Sequence, residues 1–191
     1  WATTYINGGE YDSDILTILN RKSYSYIELD GNVRVHADHG RALCNVGTAV
    51  IRNGTYTSEV YTTIYTDNGA KTFVYGGTFK NTSTEQLGKV FSNVGELTID
   101  GAGVQIENVG ETACAVGNKG TLYFNNGTVT APNGAAILNT SSTTNTGTTT
   151  INGGTIKDSK YGIQVSSGQV TLNDVTFSNN DSDIYLMQGM M

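Results

Sequence analysis

The chain has 191 residues and a net charge of −6, and its 24 Gly and 28 Thr stand beside a single Pro and only 15% charged residues. Collagen-like, Pro-rich and disordered chains are excluded, because 37% apolar residues spread along the sequence can fill a core. The eleven Lys and Arg are scattered singly, which argues against a nucleic-acid partner, and no apolar run approaches the roughly 20 residues that span a bilayer. No basic-then-apolar leader opens the chain, and a start at Trp1 reads as a mature or excised segment.

The chain repeats itself. TTYINGGEYDSD from Thr3 returns as TTTINGGTIKDS from Thr148. Related runs begin at Tyr26, Thr48, Lys71, Glu96, Thr121 and Gln169. These starts divide the sequence into eight units, 3–25, 26–47, 48–70, 71–95, 96–120, 121–147, 148–168 and 169–191, with a period of 21 to 27 residues. Nothing remains for a second domain, so a single domain over 1–191 is expected.

In the first unit, Ile15, Ile18 and Leu19 fall at helical spacing between Ser13 or Asp14 as N-cap and Arg21/Lys22. This predicts a short helix or turn near residues 14–22 that covers the first rung. Elsewhere each unit reads as three short strands with two-residue apolar spacing. The first strand gives the column Ile6, Leu29, Ile51, Val74, Ile99, Phe124, Ile151, Leu172 just before an Asx-Gly turn. After the turn comes Tyr11, Val33, Tyr56, Phe79, Val104, Val129, Ile156, Phe177, with a tighter turn expected before Val33. A third position holds Leu43, Phe91, Val116, Leu138, Val165 and Ile184. The loop SSTTNTG from Ser141 reads as a flexible excursion, and the LMQGMM tail as a segment that folds over the core or meets another chain.

No unit can offset its own ordering entropy with so few apolar side chains, but stacked copies can. Coils at roughly 4.8 Å spacing would line like residues into ladders and give a rod about 35–40 Å tall. Two Asx sets fit such ladders. Asn7, Asp30, Asp100, Asn125, Asn152 and Asn173 follow the first column, and Asn45, Asn93, Asn118 and Asn139 close the third strand, where they would satisfy turn amides beyond the reach of water.

With its NGG and NGT turns after apolar strands, its Asn ladders and its variable coil length, the sequence resembles the right-handed parallel β-helix proteins. This is the pectate-lyase-like superfamily, which also includes bacterial adhesins and autotransporter passengers. The resemblance covers the whole chain. It implies an all-β, single-stranded right-handed solenoid of about eight coils, since left-handed β-helices keep strict hexapeptides. A sandwich of antiparallel hairpins closed by NG turns is the competing fold. The scaffold hosts unrelated activities, so function must be argued from a site.

Enzymes of that superfamily use an Arg or Lys base beside calcium-holding acids, or carry NTD, DD, GHG and RIK motifs. None of the four motifs is present, Asp38-His39-Gly40 only superficially resembles GHG, and Arg34, Arg52 and Lys71 have no acidic cluster on neighbouring coils. The cluster His36, Asp38, His39 and Arg41 has side chains that bind metals or move protons. It matches no catalytic signature and reads as a solvated polar loop. No catalytic residue, metal ligand or cofactor is therefore assigned.

A binding role has better material. Outward positions of the first strand read Tyr5, Glu28, Val50, Phe73, Thr98, Tyr123, Thr150, Thr171, and Arg52 and Tyr75 follow two residues after Val50 and Phe73. Val50, Arg52, Phe73, Tyr75 and Tyr123 are the candidate binding residues, with a cation–π contact between Arg52 and Tyr75 and an extension over Tyr61 and Tyr65. The alternative is that loops 57–63 and 82–88 fold over this face. Threonine ranks are too broken for ice binding. Sequons at Asn53, Asn81, Asn126, Asn139 and Asn180 follow from composition. The expected role is an extracellular, secreted or cell-surface, adhesin-type module. Its partners would be a glycan or a host or cell-surface protein, with end-to-end or lateral self-association. A polysaccharide lyase or hydrolase fragment and a structural spacer are the alternatives. Cys44 and Cys114 fall three rungs apart, roughly 14 Å, beyond disulfide reach, so two free thiols are expected.

Overall fold

The computed structural model of the chain describes residues 1–84, 88–110 and 114–187. Among them there is no helix, and every strand pairs in parallel with its equivalents one coil away. The one antiparallel contact is an isolated bridge between Ser141 and Thr146. The protein is a parallel β-solenoid of about seven turns with three strand faces.

The first face stacks the eight expected strand starts in register, Thr3, Tyr26, Thr48, Lys71, Glu96, Thr121, Thr148 and Gln169. Its inward column is the expected one, from Ile6 to Leu172, and Leu29, Ile51, Val74, Ile99, Phe124 and Ile151 are fully buried. The third face runs through eight strands from Leu16–Asn20 to Ser182–Leu186. An antiparallel sandwich is excluded by these registers. The chain can bend sharply after the first strand because Gly54, Gly77 and Gly154 hold φ of 124°, 108° and 87°. A Cβ on Gly154 would stand 2.5 Å from a ring carbon of Phe124.

The second column differs at two coils. Tyr11 pairs with Val35 rather than Val33, and Phe79 with Ile106 rather than Val104. The second coil spends one residue more in this turn than its neighbours and the fifth spends two more, so the turn expected to be tighter before the second face of the second coil is longer instead. Val33 and Val104 are still buried, because two-residue spacing leaves both members of each pair facing inward. Tyr56 and Phe79 stack in this column at 5.0 Å, and Phe91 closes on Phe79 at 5.0 Å from the third face. In the third column Ile137 and Ile163 replace Leu138 and Val165.

The expected helix near 14–22 is a strand. Leu16–Asn20 pairs with Arg41–Asn45, placing Ile18 on Leu43 and Asn20 on Asn45. An isolated turn of helix would gain no partner, whereas a full row of ladder bonds and β-branched Thr17 and Ile18 favour the extended form. The loop from Ser141 is tied down rather than free, because Asn145 Nδ2 donates to Asn68 Oδ1 at 3.2 Å and to the Val94 carbonyl at 2.9 Å. Of the LMQGMM tail, residues 188–191 lie outside the described residues, as do residues 85–87 of the loop 82–88.

The inner Asn ladder forms as expected and extends to Asn20. Asn20 donates to Asn45 (2.8 Å), Asn93 to Asn118 (2.8 Å) and Asn118 to Asn139 (3.1 Å). A further buried pair, Asn81 and Asn108, turns the chain from the second face to the third. Asn108 Nδ2 donates to the Gly88 and Cys114 carbonyls at 3.0 and 2.8 Å, and its Oδ1 accepts from Gly110 N–H at 2.8 Å. The sequons at Asn81 and Asn139 are thus fully buried.

Candidate functional site

Stacking brings four of the five candidate binding residues onto adjacent coils. Glu28, Val50, Phe73 and Thr98 are successive register partners on the outward side of the first face, and Tyr123 follows Thr98. Arg52 and Tyr75 sit just past the strand ends, their N–H groups bonded to the Leu29 and Ile51 carbonyls. In this position the outer Asx ladder is interrupted. It holds Asp30 below, and Asp100, Asn125, Asn152 and Asn173 above, the last four linked side chain to side chain at 3.4, 2.8 and 2.7 Å.

Arg52 is held in place. Its Nε donates to Glu28 Oε1 at 2.7 Å and its Nη2 to Oε2 at 3.4 Å, a forked contact that keeps the guanidinium plane fixed. The guanidinium carbon lies 5.9 Å from the Tyr75 ring centroid, the expected cation–π contact. Tyr26 Oη donates to Glu28 Oε2 at 2.5 Å. The Arg52 contact, reinforced by that of Tyr26, draws the Glu28 carboxyl below the usual carboxylate range. Reciprocally, the hydrogen bond to Glu28 raises the Tyr26 phenol to about 12.

Tyr75 and Tyr123 remain 43% and 40% exposed and Phe73 is half-buried, so the face is open at the aromatic positions. Residues 55–58 belong to the second face and 62–66 to the third, which removes the 57–63 segment as a cover. Val50 is different. It is only 8% exposed, between Glu28 and Phe73, and serves as the floor of the patch rather than a contact. Tyr123 stands two coils beyond Phe73, roughly 10 Å away.

Tyr61 and Tyr65 do not extend this patch. They clasp Arg41 on the third face, with ring centroids 5.3 and 4.5 Å from the guanidinium carbon. This second aromatic–cation unit was not legible in sequence, because Arg41 precedes Tyr61 by about one coil and only the register joins them.

The His-rich segment is divided by the fold. His36 belongs to the strand Tyr26–Ala37, where its Nδ1 meets Thr57 Oγ1 at 2.7 Å and its Nε2 meets Asp38 Oδ1 at 2.9 Å. His39 lies past the strand end, exposed, and pairs with Asp14 at 2.5 Å, which raises its pKa. Both cysteines are free and buried, Cys44 on the strand Arg41–Asn45 and Cys114 just before the strand Val116–Asn118, three strands further along the third face. Burial raises both thiols, Cys114 to about 11.

No family model, curated protein or solved structure matches the chain. Assignment of function therefore rests on the geometry of these surfaces.

Proposed function

We propose that the chain is a rigid, non-catalytic, extracellular binding module of adhesin type, secreted or displayed at a cell surface, whose first face takes a carbohydrate. The observation that carries this reading is the alignment of Phe73 and Tyr75 beside an Arg52 already oriented by Glu28, on a sheet whose backbone is held by neighbours above and below. Aromatic faces stack on the apolar faces of sugar rings, and a fixed guanidinium donates to hydroxyls or carboxylates at their edge. Because Phe73 lies on a strand and the backbones of Arg52 and Tyr75, just past strand ends, are bonded to the coil below, little conformational entropy is lost on binding. Tyr123 supplies a second stacking position for the next residue of an extended glycan. The same face would suit a host protein, and the test separates the two.

The test is glycan-array binding by the native chain and by a Phe73→Ala/Tyr75→Ala variant. Binding to a defined set of glycans that falls by about tenfold or more in the variant supports the reading. Binding that survives the double substitution, or none on the array, removes the patch as a carbohydrate site.

A second reading, a structural spacer that associates end to end, is favoured by one observation. In the eighth coil the inward residues Leu172 and Ile184 are exposed, whereas their partners Ile151 and Ile163 are fully buried. A rung laid on this edge would cover them.

A further inference from the structure

The turn from the second face to the third gathers acids over three consecutive coils. Ser13, Ala37 and Ser58 are register partners, and the residues that follow them are Asp14, Asp38 and Glu59. Carboxylates stacked at the coil spacing repel one another. Asp14 is answered by His39. Asp38 is answered by His36 Nε2 at 2.9 Å, and Glu59 Oε1 stands 3.8 Å from the same nitrogen.

One residue back along the outward column of the second face lies Asp12, the register partner of His36. Ligand atoms of Asp12, His36 and Asp38 all fall within 4.8 Å of one another. Among the described residues the Asp12 carboxylate makes no hydrogen bond or ion pair. Its charge is therefore directed at a group already surrounded by negative charge.

We propose that Asp12, His36 and Asp38, with Glu59 in reach, bind a divalent transition-metal ion. An imidazole and two or three carboxylates form a mixed N/O donor set suited to Zn²⁺ or Mn²⁺. It is poorly suited to Ca²⁺, which takes six to eight oxygens. Two ligands on one ion at roughly 2.1 Å stand about 3–4 Å apart, so side-chain rotation alone closes the observed separations.

The imidazole is also oriented for the task. Thr57 Oγ1 engages Nδ1 at 2.7 Å and leaves Nε2 directed at the acids, the arrangement in which the second ring nitrogen of a ligating His is held by a neighbour. Nε2 exchanges its contact with Asp38 for the ion, and Asp38 becomes a ligand. An open groove of about 410 Å³ beside Tyr11, Asp12, Arg34, His36 and Thr57 gives access from solvent. The basic groups nearest the site are engaged elsewhere. Arg34 lies 3.8 Å from Glu10, and Lys80, the next column member after Thr57, lies 3.1 Å from Glu107. The ion would bridge coils one to three at the first end of the rod.

The test is calorimetric titration of ZnCl₂ into the metal-free chain at neutral pH, beside Asp12→Asn, His36→Ala and His39→Ala variants whose folding is checked by circular dichroism. Asp12 is exposed, so its variant removes a ligand without touching the core. One saturable equivalent is expected, weakened about tenfold or more by Asp12→Asn and by His36→Ala and unchanged by His39→Ala. A parallel CaCl₂ titration should show far weaker binding. Absence of saturable Zn²⁺ binding, equal loss in the His39→Ala variant, or Ca²⁺ binding as tight as Zn²⁺ and indifferent to His36→Ala would each overturn the assignment.

Discussion

Two ladders of Asn and Asp side chains run along this rod, and they differ in what lies around them. The inner one, through Asn20, Asn45, Asn93, Asn118 and Asn139, is buried and supplies hydrogen bonds that no water can replace. The outer one, through Asp100, Asn125, Asn152 and Asn173, has similar spacing but faces solvent. Identical residue types in equivalent repeats thus carry different energetic weight, because an unmade bond is costly only where water is excluded. The outer ladder is free to vary, and at Arg52 and Tyr75 it is replaced by the candidate binding patch.

The comparison can be broken at Asn118, the most heavily bonded rung. Its Nδ2 donates to Asn139 Oδ1 and to carbonyl or hydroxyl oxygens of Gly120, Thr148 and Thr149, while its Oδ1 accepts from Asn93 and from Gly120 N–H. Asn118→Ala should cost about 3 kcal/mol, read as a lower urea midpoint. The equivalent change on the outside, Asn152→Ala, should stay within about 0.5 kcal/mol. Similar losses at the two sites would show that burial does not separate the ladders.

A gain sharpens the same contrast. Thr66 occupies the ladder position in the third coil, so no amide donor reaches up to Asn93, whose buried Oδ1 has no hydrogen-bond partner among the described residues. Thr66→Asn, of nearly equal volume, restores that donor. It should add about 1 kcal/mol and raise Tm by about 2–4 °C in a thermal scan. A lower Tm would mean that the gap is filled in some other way.

The smallest effect belongs to the exposed surface. Glu28 has its folded-state pKa depressed, first by Arg52, so its contribution is present above the unfolded carboxyl value and is lost as pH falls through the folded value. Tm followed from neutral pH into the acid range should therefore drop slightly less steeply in Glu28→Gln than in the native chain. Salt should erase the difference. A steeper acid loss in the variant would contradict the sign.

The first column and the outward column were legible throughout, because the Asx-Gly turn after Ile51 or Ile151 marks where each first strand ends. The second column slipped by two at Val33 and Val104, since two-residue periodicity cannot distinguish Val33 from Val35 when both face inward. Local spacing of Ile15, Ile18 and Leu19 suggested helix, and only pairing with Arg41–Asn45 decides otherwise. The buried pair Asn81 and Asn108 does leave a trace, an Asn two residues before Ser or Gly, as in Asn45-Val46-Gly47. Of the surfaces, the Phe73–Tyr75–Arg52 group could be read from the column order. The meeting of Asp12 with His36 required the register, because the two lie about a coil apart in sequence.

All of these readings depend on residues about two dozen apart being vertical neighbours. Methyl-labelled NMR of Ile, Leu and Val tests this most directly. Stacked coils predict an unbroken series of methyl contacts from Leu29 to Ile51, Val74 and Ile99, with interstrand backbone contacts of the parallel type. If Val74 shows no contact with Ile51 and Ile99, or if antiparallel Hα–Hα contacts appear between successive strands, the solenoid and every surface built on it would be contradicted.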